Sequence, residues 1–209
     1  MKEHRTPEHG YDLERLLFLT DGVFAIVITL LVIELRPPPH WDLTFVGLVE
    51  EEARGLLAFV IGFFAAAMFW NGHRMMFKRI VAFRPLLALF NFLLLLPIVL
   101  LPFAAQLIVA SNGRGQPFLI YAGVIAAGGL GQALLWGYSA FVGRIVDPRL
   151  TRRTNLILFG SMAILPVLIA LLGLLVMGAA SPWLWFAVLL AAVAIVRGRR
   201  HALRHDLVD

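Results

Sequence analysis

Six long apolar stretches, separated by short polar and proline-bearing segments, account for most of the chain. The first covers about residues 16–35 and stops at Pro37, Pro38 and Pro39, through which no helix continues. The second covers about 53–70. The third opens at Pro85, an acceptable first-turn proline, and runs to about 110. The fourth covers about 117–142, the fifth about 156–177 and the last, a short one, about 182–196. Against the roughly 20 residues that a bilayer-crossing helix needs, each is a spanning candidate by length, the last being short. The pattern predicts an all-α membrane protein with six transmembrane helices in a single domain, 1–209. A cleavable signal peptide does not fit, because Glu3, Glu8, Asp12 and Glu14 precede the first stretch.

Polar positions inside these stretches are the informative ones, since each costs energy unless it meets a partner. Helix one holds Arg15, Thr20, Asp21, Thr29 and Glu34. Arg15 sits at the boundary and is able to snorkel, whereas the short Asp21 is not. Asp21 is therefore expected to face protein or water. Trp70, Asn71 and His73 lie at the end of the second stretch and Asn91 early in the third, at depths comparable with Asp21. Such a set predicts a hydrogen-bonded cluster tying helices one, two and three together. At about 100° per residue, Gly22, Ile26, Thr29 and Ile33 form a separate stripe, about 140° from Asp21 at Ile26. Periodicity alone favours Thr29 bonding back to the carbonyl of Ala25 and facing lipid or a neighbour.

Composition bounds the function. Of 209 residues 60% are apolar and only 15% charged, and the mean hydropathy is +0.85, so there is too little polar surface for a soluble enzyme. There are no cysteines, which excludes disulfides and thiolate chemistry. Within the spans only Asp21 and Glu34 are acidic, near opposite faces, and His73 has no second histidine one turn on. Neither a hydrolytic pair nor a metal site is present, so no enzyme and no cofactor is expected. The net charge of +5 raises the question of nucleic acid. Yet of the 18 basic residues only Arg36, Arg54 and Arg114 fall on one side of the predicted membrane. By the positive-inside rule both termini are cytoplasmic, and the basic excess needs no nucleic acid. Glu50, Glu51 and Glu52, on the outer side, read as a solvated helix start or as an acidic collar enriching cations.

The residues also resemble a known family. Arg15, three residues, then Leu19, Thr20, Asp21 and Gly22 look like the first-helix hallmark (Arg, three residues, Phe-Ser-Asp-Gly) of prokaryotic six-helix members of the endosomal/lysosomal potassium channel family. Trp70 to Arg74 is similar to the family's Trp-x-Asn-His-His-Arg stretch, and Asn91 to Pro97 with Leu101, Pro102 and Phe103 resembles its third helix. Leu19 and Thr20 replace the hallmark Phe and Ser, and Gly72 the first of two histidines.

The resemblance implies a homotetrameric potassium-permeable channel in the bilayer, with helix one of each subunit lining a central pore and no re-entrant loop. It implies pore constrictions at Ile26, Leu30 and Ile33, and selectivity at Thr29. It further implies an anchoring network of Arg15, Thr20, Asp21, Trp70, Asn71, His73 and Asn91, and an outer mouth at Glu34. The permeant ion would be K+ and the location a bacterial inner (plasma) membrane. A proton-coupled secondary transporter, prompted by Asp21 near His73, and a non-conducting membrane scaffold are the alternatives.

Overall fold

The computed structural model describes residues 7–33, 35, 38, 42–110 and 117–177. Glu34, the 111–116 connection and the predicted last span, 182–196, lie outside the described residues. What is described is almost wholly helical: α1 (Pro7–Ile33), α2 (Phe45–Phe77), α3 (Pro85–Val99), α4 (Leu101–Ala110), α5 (Pro117–Gly137) and α6 (Arg152–Met177). A π-helical turn, Tyr138–Val142, prolongs α5. Among the described residues four helical runs are long and apolar enough to cross a membrane: Gly10–Ile33, Gly55–Phe77, Pro85–Ala110 and Leu119–Val142.

Three boundaries depart from the sequence reading for identifiable reasons. The second helix begins at Phe45 rather than near residue 53, because Thr44 caps it. The Gly47 N–H donates to the Thr44 hydroxyl at 3.0 Å, while the Thr44 N–H donates to Asp42 at 2.9 Å. Glu50, Glu51 and Glu52 thus lie within α2, one turn or more past its start. The same helix runs past Trp70 to Phe77, since His73, polar but partnered, does not need to leave it. The third span is two helices meeting at Leu100. Pro97 and Pro102 each lack the N–H that an unbroken helix would use there, and the Leu100 N–H turns to the Pro97 carbonyl at 3.2 Å.

The described helices share one apolar core. Phe24, Val27 and Leu31 of α1, Leu94 and Ile98 of α3, and Leu135 and Trp136 of α5 are fully buried in it. α5 crosses α3 so closely at Gly131 that a β-carbon there would stand 2.7 Å from the Leu94 Cα, so only glycine fits. Trp136 ties α5 to α6, its indole N–H donating to the Asn155 carbonyl at 3.2 Å.

The α2–α3 and α5–α6 connections lie side by side. Ile80 and Val146 form an antiparallel bridge, with the Val81 N–H on the Ile145 carbonyl and the Asp147 N–H on the Arg79 carbonyl, both at 2.8 Å. Arg144 takes a left-handed conformation (φ 51°) to make the turn. Arg74, Lys78, Arg79, Arg84, Arg144, Arg149, Arg152 and Arg153 are gathered at this one end. Asp147 is held below the usual carboxylate range by the side chain and then the backbone N–H of Arg149.

Candidate functional site

Two stripes divide α1. Leu16, Thr20, Phe24, Val27 and Leu31 recur every three or four residues and are buried against the other helices. Gly22, Ile26, Thr29 and Ile33 recur on the opposite side and are exposed, Ile26 at 59% and Ile33 at 66%. Phe18 and Leu30 extend this bare side. Apart from its chain neighbours and the adjoining backbone of α1, no atom among the described residues lies within 4 Å of where a Gly22 β-carbon would be. These are the positions that a spacing of about 100° per residue gathers on one side of the helix. The Thr29 hydroxyl does bond back along its helix, but to the Ile26 carbonyl at 2.8 Å rather than to that of Ala25.

The buried stripe carries a hydrogen-bonded chain through three helices. The Thr20 hydroxyl donates to the Leu16 carbonyl at 2.8 Å and accepts from the Asn91 amide at 2.7 Å. The Asn91 carbonyl oxygen, being only an acceptor, then accepts a hydrogen bond from the His73 Nε2–H, 2.8 Å away. Thr20, His73 and Asn91 are all fully buried. The chain thereby assigns the His73 tautomer, and leaves Nδ1 buried without a partner. The imidazole stacks on Phe77 at 4.2 Å between centroids and meets Phe24 at 6.2 Å. Each bond joins groups that are cut off from water, so losing one partner strands the other.

Other predicted members lie around this chain rather than in it. Asp21, exposed, accepts from the Trp70 indole N–H at 2.8 Å, a direct tie between α1 and α2. Asn71 is exposed and accepts from Arg74 at 3.3 Å, while the Arg74 guanidinium lies over the Trp70 ring at 5.3 Å. The Arg15 guanidinium lies over the Tyr11 ring at 5.5 Å, on the exposed side of α1. Neither Asn71 nor Arg15 joins the Thr20–Asn91–His73 chain within this subunit.

A further polar tie escaped the sequence reading. Gln132, in the middle of α5 and buried, donates to the Phe69 carbonyl of α2 at 2.8 Å. It occupies the space beside Gly72, where a β-carbon would come 2.7 Å from the Gln132 amide nitrogen. An isolated amide in an apolar span was the available signal. Among the described residues, no three His, Asp or Glu side chains gather as metal ligands.

Residues 15–102 match the model of the family described as endosomal/lysosomal potassium channel TMEM175. The match takes in the whole Thr20–Asn91–His73 chain and leaves out Gln132. A potassium channel of Chamaesiphon minutus is 30% identical over 144 residues, covering 66% of this chain and 71% of that protein. The endosomal/lysosomal proton channel TMEM175 of Mus musculus is 23% identical over 158 residues, 73% of this chain but 31% of the mouse protein. The crystal structure of a lysosomal potassium-selective channel TMEM175 homologue from Chamaesiphon minutus shares the fold, with a TM-score of 0.68 and 24% identity. That similarity covers 92% of this chain and 98% of the homologue. These relatives are named as ion channels and not as enzymes.

Proposed function

Because the chain belongs to the endosomal/lysosomal potassium channel TMEM175 family, we propose that it forms a homotetrameric, potassium-permeable channel with α1 of each subunit around a central pore. The observation that carries this reading is the bare stripe Gly22, Ile26, Thr29 and Ile33, on a helix whose other side is fastened to its own subunit. A helix held on one side and apolar on the other is suited to forming a wall. Four copies of Ile26, Leu30 and Ile33 would narrow the pore with hydrocarbon, closing it by sterics and dewetting. Thr29 would supply the polar ring. Its hydroxyl proton is engaged by the Ile26 carbonyl, which leaves the oxygen lone pairs to receive a partly dehydrated cation. Glu34 would stand at the outer mouth.

In this reading six helices span the inner membrane of a bacterium with both termini in the cytoplasm. The basic end formed by the Ile80–Val146 bridge faces the same side, as the positive-inside rule asks. The test is reconstitution into liposomes with potassium and sodium gradients imposed in turn. Thr29→Ala should change the potassium-to-sodium permeability ratio severalfold while leaving assembly intact. Unchanged reversal potentials would remove Thr29 from the selectivity role. The partnerless Nδ1 of buried His73 favours a second reading, a proton-coupled carrier. Flux that saturates and follows a proton gradient would select the carrier over the channel.

A further inference from the structure

The basic end of the molecule carries a feature that the pore does not use. A groove of about 620 Å³ runs down the outside of α6 from Arg152 and Arg153 along Leu156, Gly160, Ser161 and Ile164. Both arginines are exposed, and neither has a carboxylate partner among the described residues. Their neighbour Arg149 does, gripping Asp147 at 2.8 Å. Below the arginines the groove is hydrocarbon. Its one hydroxyl, Ser161, already donates to the Leu158 carbonyl at 2.8 Å, so the floor offers a ligand no free donor. Leu156 and Ile164 are each about half exposed, and Gly160 opens a notch between them. From Arg153 to Ile164 the helix rises about 16 Å, close to half of a hydrocarbon core of about 30 Å.

Two cations with no carboxylate partner among the described residues, above an apolar trough about one leaflet long, match a molecule with an anionic head and a hydrocarbon tail. We propose that this groove holds one anionic phospholipid, its phosphate between Arg152 and Arg153 and an acyl chain along Leu156, Gly160 and Ile164. Charge favours this occupant over the chain's own C-terminal residues, which bring Arg197, Arg199 and Arg200 and would add like charge at the mouth. It also favours an anionic head over a zwitterionic one. The site is separate from the α1 stripe, so it stands or falls independently of the pore assignment.

Native mass spectrometry of the purified full chain, exchanged into mixed phosphatidylglycerol and phosphatidylcholine, tests it directly. The wild type should retain phosphatidylglycerol preferentially. Arg152→Gln with Arg153→Gln should abolish that preference, an effect of about thirtyfold for two surface cations. Gly160→Leu should fill the notch and reduce retention of both lipids. It is structurally tolerable, because a β-carbon there meets only the tip of Ile164 at 3.9 Å. Equal retention of the two lipids by the wild type, or wild-type behaviour in either variant, would overturn the proposal. So would a disulfide formed in high yield between cysteines introduced at Gly160 and Leu189, which would give the groove to the chain's own C-terminal segment.

Discussion

The two sides of α1 are built from nearly the same apolar residues and differ in what surrounds them. On one side Thr20 is completely buried and passes a hydrogen bond to Asn91 and on to His73. On the other, Thr29 bonds only to its own helix and its neighbours Ile26 and Ile33 touch little of the subunit. A hydroxyl on the first side is a structural part with a fixed geometry. The same group on the second is free to serve whatever occupies the space beyond. Residue type therefore says less about role in this helix than the angular position at which the residue falls.

The contrast is broken most severely at Asn91. Asn91→Ala strands the His73 Nε2 proton, removes the donor to Thr20 and leaves a cavity, at a cost of about 3 kcal/mol. Thermal unfolding of the purified protein should show a large drop, with ion flux lost in proportion to folded protein. Thr20→Val comes next. It keeps the shape but leaves the Asn91 amide without its acceptor, at about 2 kcal/mol. Thr20→Ser, which restores the hydroxyl, should recover most of that stability. If Thr20→Val melted like the wild type, the buried chain would not be what holds α1.

The α1 stripe and the depth of the polar residues were legible in the sequence because both follow from counting along a helix. What counting along separate helices does not supply is rotation between them. Asn71 and His73 share a depth, but two residues place them about 200° apart on α2, so one turned inward and the other outward. Arg15 is likewise about 140° from Thr20 and lies against Tyr11 instead. Gln132 was missed for the converse reason: its partner is a backbone carbonyl, Phe69, which no residue pattern marks. The early start of α2 was written locally, in the Asp42 and Thr44 cap, but hydropathy begins to count an apolar span only after the polar run Glu50 to Glu52. The joint at Leu100 needed both prolines to be read together as missing donors.

The bare side is probed by Ile26→Asn. Ile26 contributes little to the subunit's packing, so stability of the monomer fold should change by under about 0.5 kcal/mol. A polar ring at a hydrophobic constriction should wet it, raising liposome ion flux about tenfold, or about 1.4 kcal/mol in the barrier. Flux no greater than that of the wild type would mean that Ile26 does not face a conducting path, and the contrast between the two sides would lose its functional meaning.

The smallest effect belongs to the residue on the border. Asp21 is one position from Thr20 and one from Gly22, exposed, and held by the Trp70 indole N–H at 2.8 Å. Trp70→Phe keeps the aromatic ring and removes only that donor, a loss of under about 1 kcal/mol because water replaces it. If Asp21 serves the fastened side, the variant should melt slightly lower, and its potassium-to-sodium permeability ratio should equal that of the wild type. Asp21→Asn should then behave much the same, since an amide oxygen still accepts from Trp70. If Asp21 instead serves the bare side, removing its charge should lower cation flux while Trp70→Phe, which keeps the charge, should not. The pair thus separates a carboxylate used for its hydrogen bond from one used for its charge, and fixes where on the circumference of α1 the anchoring side ends.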